Sequence, residues 1–265
     1  MVTQASTTKN YEAIAKAKIR KPRDRPLSVL VYGRFKKGKT HFCTTAPNVL
    51  ILDPEEGTDG LAEANPDVWP LNEWSDFDEV YKFLKTGKHD YEYVAFDGMS
   101  RFANMALRYA RSQAAETNLN SKPGGTRIQD YGTAGELMKG MMYNFHSLPL
   151  GKIYTAHERA VNAVILEEDE ESPIVKPEDQ IYVPDLPAGT RGSVNALVDV
   201  IGRAYTIRKD HPTDMNKKVT SYRLWLAPTH NYDTGFRSEY RLPDYLINPS
   251  VAKLTTLIKT GSVNA

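Results

Sequence analysis

Leu27-Ser-Val-Leu-Val-Tyr32 runs directly into Gly33-Arg-Phe-Lys-Lys-Gly-Lys-Thr40. The first stretch is a β-rich apolar run, and the second fits the pattern G-x-x-x-x-G-K-[ST], in the strand-before, helix-after context that the pattern requires. Glycines at 33 and 38 permit a tight loop whose backbone N–H groups converge on phosphate oxygens. A helix beginning near Lys39 adds its N-terminal dipole. Gly33, Arg34, Phe35, Lys36, Lys37, Gly38, Lys39, Thr40 and His41 are therefore the candidate nucleotide cradle. Within it the Lys39 ammonium faces the β- and γ-phosphates, and the Thr40 hydroxyl is the candidate Mg²⁺ ligand.

Phosphoryl transfer also needs a carboxylate behind the metal and a group that orients water. Tyr91-Glu-Tyr-Val-Ala-Phe-Asp97 reads as a buried strand ending in an acid, at the edge where ligands bind in open α/β sheets. Asp97 is the candidate metal-side carboxylate; a turn aspartate before Gly98 is the plainer alternative. After a second strand, Leu52-Asp-Pro-Glu-Glu-Gly57 offers Glu55 and Glu56, either of which could polarise water. A further short strand leads into His157-Glu-Arg159, where His157 could contact a γ-phosphate, although a lone histidine is more often structural.

Working outward, strands at 27–32, 49–52, 91–96, 153–155, 198–207 and 222–226 alternate with helical stretches at about 39–45, 76–85, 99–118, 130–147 and 190–197. That order predicts an α/β fold, a mostly parallel sheet with helices on both faces. Residues 119–129 read as a mobile loop, and 160–189, with four prolines and the acidic run 167–171, as a β-hairpin insertion or an irregular loop. A short helix is expected over 10–20, stopped by Pro22 and Pro26.

Composition narrows the classes. With 265 residues, 40% apolar and 25% charged, the chain suits one folded domain with short extensions. No apolar run approaches a membrane span and no signal-peptide pattern opens the chain, so a cytoplasmic location without membrane contact is expected. The single cysteine, Cys43, excludes an internal disulfide framework. The net charge is +1, yet residues 1–26 hold seven Lys or Arg against two acids. Such an arm suits nucleic acid, an acidic patch on a neighbour, or plain solvation.

With these motifs in order, the chain resembles the RecA-like P-loop ATPases. Within them it is similar to the short phage-encoded group associated with single-strand annealing and recombination. The likeness covers roughly residues 27–245. It is carried by the phosphate loop, the Asp-Pro-Glu-Glu-Gly segment, Val-Ala-Phe-Asp-Gly-Met-Ser, the stretch from Asp130-Tyr-Gly to Thr155-Ala-His-Glu, and Pro184-Asp-Leu-Pro-Ala-Gly.

The resemblance implies a basic arm over 1–26, a RecA-like core over 27–245 and a C-terminal helix and tail over 246–265. It implies ATP and Mg²⁺ as cofactors, with Glu55 activating water and His157 sensing γ-phosphate where many relatives use glutamine. Two loops would hold single-stranded DNA, with Lys122, Arg127 and Arg191 touching phosphates while the 167–171 acids stay clear. Arg237 would serve a neighbouring subunit's γ-phosphate in a homo-oligomeric ring or filament. The implied function is ATP hydrolysis coupled to single-stranded DNA in phage recombination or annealing, beside a single-strand-binding protein and in the host cytoplasm. A helicase-like motor and an ATP-dependent oligomeric scaffold for replication proteins are the alternatives.

Overall fold

A computed structural model describes residues 11–19, 25–61, 63–117, 126–162, 180–210 and 218–262. The strands are β1 (Ser28–Tyr32), β2 (Val49–Asp53), β3 (Asp67–Pro70), β4 (Tyr93–Asp97), β5 (Gly151–Ala156), β6 (Glu158–Asn162), β7 (Gln180–Pro184), β8 (Val200–Asp210), β9 (Lys218–Trp225), β10 (Gly235–Phe236) and β11 (Tyr245–Ile247). The helices are α1 (Tyr11–Lys18), α2 (Lys39–Thr44), α3 (Asp76–Lys85), α4 (Met99–Thr117), α5 (Ile128–His146), α6 (Ala188–Leu197) and α7 (Val251–Thr260).

The main sheet runs β11-β9-β8-β1-β5-β4-β2-β3, with β10 also paired to β8. From β8 to β3 every pairing is parallel, and β9, β10 and β11 add antiparallel strands on the β8 side. The central strands are buried along their whole length. Their side chains alternate between two cores, as a period of two requires. Leu30, Tyr32, Leu52, Phe96 and Tyr154 face α3, α4, α5 and α6, where Phe77, Phe102, Met138, Met142, Phe145 and Val194 meet them. Val29, Val31, Ile51, Ala95 and Ile153 face α2 and α7, against Phe42, Cys43, Val251, Leu254 and Leu257. This is the doubly covered α/β architecture expected from the strand and helix order.

Several local expectations change. Asp67–Pro70 is a strand that the periodicity gave no sign of. Of the loop expected over 119–129, residues 119–125 lie outside the described residues, and 128–129 belong to α5, which starts at Ile128: the Asp130 carboxylate accepts the Arg127 backbone N–H at 2.8 Å and its guanidinium at 3.1 Å. Of the two readings of 160–189, the described part takes the hairpin form, with β6 and β7 paired from Glu158↔Pro184 to Asn162↔Gln180. The expected division at 245 falls inside the β11–β9 pairing, and α7 buries Val251, Leu254, Leu257 and Ile258 in the core. Lys122, the acidic run 167–171 and most of the basic arm lie outside the described residues. Arg25, at the end of that arm, ion-pairs with Asp199, whose Oδ2 also accepts the Ser28 N–H at 3.0 Å.

Candidate functional site

Parallel strands buried on both faces are mostly apolar along their length, and in open sheets of this kind ligands bind at the C-terminal edge. β1 ends at Tyr32 and the loop begins, held to the tip of β5 by Gly33 N–H donating to Ala156 O at 3.2 Å. A Cβ on Gly33 would stand 2.4 Å from Ala204 O on β8, so the close passage of loop and strand demands glycine. Gly38 has φ 82° and caps α2, whose first bond runs from Phe42 N–H to Gly38 O at 2.9 Å. Arg34, Phe35 and Lys36 are exposed. The Lys37 side chain turns away to donate to Thr206 Oγ1 at 2.8 Å.

Lys39 is buried and folds back over the loop, its Nζ donating to Gly33 O at 3.0 Å and Arg34 O at 2.9 Å. Burial lowers its pKa, while the carboxylates of Asp97, Glu158 and Glu55 pull it back up. An ammonium held over converging backbone amides and surrounded by carboxylates suits an anionic ligand accompanied by a cation.

Asp97, at the end of β4, is buried and accepts a 2.5 Å hydrogen bond from Thr155 Oγ1. Burial raises its pKa, and hydrogen bonds from Thr155 and Thr40 oppose the rise. Thr40 and Asp97 are thus neighbours, a hydroxyl beside a carboxylate. Among the described residues no cluster of three His, Cys, Asp or Glu side chains could hold a metal by itself. One hydroxyl and one carboxylate beside a phosphate cradle fit Mg²⁺, which keeps waters and completes its shell with nucleotide phosphates.

Asp53, at the end of β2, is committed to its own turn. It accepts the Glu55 N–H at 2.9 Å, the Thr58 N–H at 3.0 Å and the Thr58 hydroxyl at 2.8 Å. That turn presents Glu55, exposed and close enough to shift both Lys39 and His157. Glu56 adopts φ 54° in the same turn, and it is the Glu55 charge that reaches Lys39 and His157.

His157 follows β5, half-buried, its ring 4.0 Å from that of Phe35. Its Nδ1 is buried without a hydrogen-bond partner among the described residues. Burial and the Lys39 cation lower its pKa, so the ring is neutral near pH 7. Glu158 is spoken for: Arg203 of β8 donates to it through Nε at 2.8 Å and through a terminal nitrogen at 3.3 Å. The Arg203 guanidinium also lies over Tyr182 and Tyr232, at 5.2 and 4.5 Å from the ring centres. Sequence reasoning missed this clamp and Thr155. Thr155 was within reach, since it sits two residues before His157, on the strand that His157 follows.

The remaining sequence candidates lie apart. Arg237 is at the opposite end of the sheet, its backbone N–H on Asp199 O and its guanidinium donating to Ala196 O, both at 2.7 Å. Arg127 caps α5 on Asp130. Arg191 is half-buried in α6, with Nη1 lacking a partner among the described residues, which does not suit an exposed phosphate contact. A cavity of about 520 Å³ around Asn48, Asp67 and Tyr91 opens at the N-terminal ends of the strands, away from this chemistry.

A loop of this form at the mouth of a mostly parallel sheet, with Lys39, Thr40 and Asp97 brought together, defines a P-loop ATPase. The sequence pattern of the AAA-domain family matches residues 25–238, and the chain belongs to that family. No curated protein matches it. Among solved structures it is similar to the KaiC-like protein PH0186 from the archaeon Pyrococcus horikoshii OT3, at 9% identity and a TM-score of 0.42 over 85% of this chain and 90% of that one. It is also similar to the flagellar accessory protein FlaH from Methanocaldococcus jannaschii, at 9% identity and a TM-score of 0.36 over 76% and 77% of the two chains.

Proposed function

We propose that the chain hydrolyses ATP in response to single-stranded DNA, acting in recombination or annealing as a homo-oligomer. In this reading Lys39 binds the β- and γ-phosphates, and Thr40 and Asp97 would hold Mg²⁺, whose charge would offset that of the phosphates. Glu55 orients the attacking water, and His157 registers the γ-phosphate. Water adds to the γ-phosphorus as the bond to the β-phosphate oxygen breaks, giving ADP and inorganic phosphate.

The observation that carries the DNA reading is a basic face on α4, the helix that leaves Asp97. Arg101, Arg108 and Arg111 recur at helical spacing, Arg101 and Arg108 exposed and Arg111 partly so. They span about 15 Å of helix. At the start of α5, where Arg111 lies close enough to act on Asp130, Ile128 and Tyr131 are 90% and 60% exposed. Arginines that track a backbone beside an exposed aromatic suit single strands of any sequence. The β6–β7 hairpin supports coupling, because it starts immediately after His157.

The test is steady-state ATP hydrolysis with and without a single-stranded oligonucleotide at low salt, beside Lys39→Ala. Stimulation that vanishes in Lys39→Ala and weakens in an Arg108→Ala, Arg111→Ala variant supports the reading. Turnover indifferent to single strands overturns the DNA part and favours an oligomeric scaffold.

A further inference from the structure

Next to the phosphate loop, on the α2 side, a cavity of about 220 Å³ opens between Gly38, His41, Tyr222, Asn248 and Ser250. We propose that it receives the nucleobase of the nucleotide whose phosphates lie in the loop, stacked between Tyr222 and His41. The proposal rests on the reading of Gly33–Thr40 as the phosphate cradle and adds the specificity element of the same site.

Position is the first argument. A nucleotide held by its phosphates over Gly38 and Lys39 must send its sugar out past the first turn of α2, where His41 is exposed. Size is the second. Whole drug-sized ligands occupy cavities of roughly 300–1,000 Å³. A cavity of about 220 Å³ therefore suits one flat ring system, not a whole nucleotide.

The pair of rings is the third. His41 and Tyr222 have centroids 6.4 Å apart and planes 38° from parallel. Carbon atoms in contact sit about 3.5 Å apart, so a flat base between two rings needs roughly 7 Å. Levelling the tilt by rotating the exposed His41 side chain makes that space.

Tyr222 is placed firmly for the task. Its ring packs where Gly38 has no side chain, a Cβ there falling 2.8 Å from Tyr222 Cδ1. Its carbonyl accepts the Asn248 N–H at 2.9 Å. Asn248 stands at φ 46° and is exposed, and its side-chain amide makes no hydrogen bond among the described residues. That amide offers both a donor and an acceptor to the edge of a stacked base.

The experiment compares the affinities of ATP and inorganic tripolyphosphate, with Mg²⁺, for the full chain and for Tyr222→Ala, Tyr222→Phe and Lys39→Ala. Stacking strength predicts that Tyr222→Ala lowers the ratio of ATP to tripolyphosphate affinity by about 5- to 100-fold. Tyr222→Phe, which keeps the ring, holds the ratio near that of the parent. An unchanged ratio in Tyr222→Ala overturns the base site while leaving the phosphate loop standing. Tripolyphosphate binding that survives Lys39→Ala overturns the phosphate-loop reading itself, and the base site with it.

Discussion

Replacing Glu158 and Glu55 in turn by glutamine separates two carboxylates that lie near the same lysine but have different tasks. Glu158 has a side chain 6% exposed, and its partner Arg203 one 16% exposed. Breaking a buried ion pair by removing one partner costs about 3–5 kcal/mol, and an exposed pair is worth about 0–1 kcal/mol. Arg203 keeps the faces of Tyr182 and Tyr232 after its carboxylate is gone, which softens the loss. Glu158→Gln should therefore cost about 2 kcal/mol. With a urea slope of about 3 kcal/mol/M, the unfolding midpoint should fall by roughly 0.7 M. Glu55 makes no side-chain hydrogen bond among the described residues and is exposed, so Glu55→Gln should leave the stability within about 0.5 kcal/mol of the parent. Its turnover should drop by about 10²–10⁴, the usual effect of losing a general base. The assay is a urea titration paired with steady-state hydrolysis on the same preparations. If Glu55→Gln turns over normally while a folded Glu158→Gln does not, the two carboxylates have been given the wrong roles.

Three further outcomes are expected. Bound ATP at a hundred times its Kd adds about 2.7 kcal/mol, so it should raise the parent's Tm by roughly 5–10 °C and leave Lys39→Ala unmoved, as read by differential scanning fluorimetry. Thr155→Val removes the 2.5 Å hydrogen bond to Asp97 and the acceptor for the Gly98 N–H at 2.9 Å. It should cost about 1–3 kcal/mol in urea titration and weaken Mg²⁺-dependent ATP binding, because it leaves the Asp97 charge less supported. His157 has a pKa below 6.5, so between that lowered value and 6.5 the unfolded chain binds more protons than the folded one. Its contribution is whole above pH 6.5 and is lost as the pH falls through that window. His157→Asn should therefore lose less stability than the parent between pH 7.5 and 5, in urea titrations at the two values.

The parts of the fold that sequence made visible are those written in contiguous residues. Leu27 to Thr40 carries strand, loop and helix start in one stretch, and Tyr93–Asp97 is an apolar run that stops on an acid. β3 escaped because Asp67-Val-Trp-Pro70 is a short edge strand, mostly exposed and ending in proline; only its pairing with β2 makes it a strand. The start of α5 escaped because Arg127 is not a usual capping residue, and Asp130 reaches back to satisfy its backbone instead. Arg203 and Tyr222 had no local signature at all. Arg203 meets Glu158 across 45 residues of chain, and Tyr222 meets Gly38 only because β9 follows β8, which lies beside β1.

Those same contacts decide which acid is free to act. The strands β2, β4 and β5 end at the same edge of the sheet, so Asp53, Asp97, the Glu55 turn and Glu158 just beyond β5 arrive in one place whatever their tasks. Proximity alone cannot rank them; the hydrogen bonds can. The Asp53 carboxylate is filled by Glu55 and Thr58, and that of Glu158 by Arg203. Asp97 is bound by hydroxyls of Thr155 and Thr40, groups able to turn toward a cation without leaving a buried charge behind. Glu55 alone of the four has its backbone fixed and its side chain open. Its alignment depends on Asp53 through that backbone bond. In the proposed mechanism Asp53 therefore positions Glu55, and its replacement should disturb hydrolysis through the turn it holds.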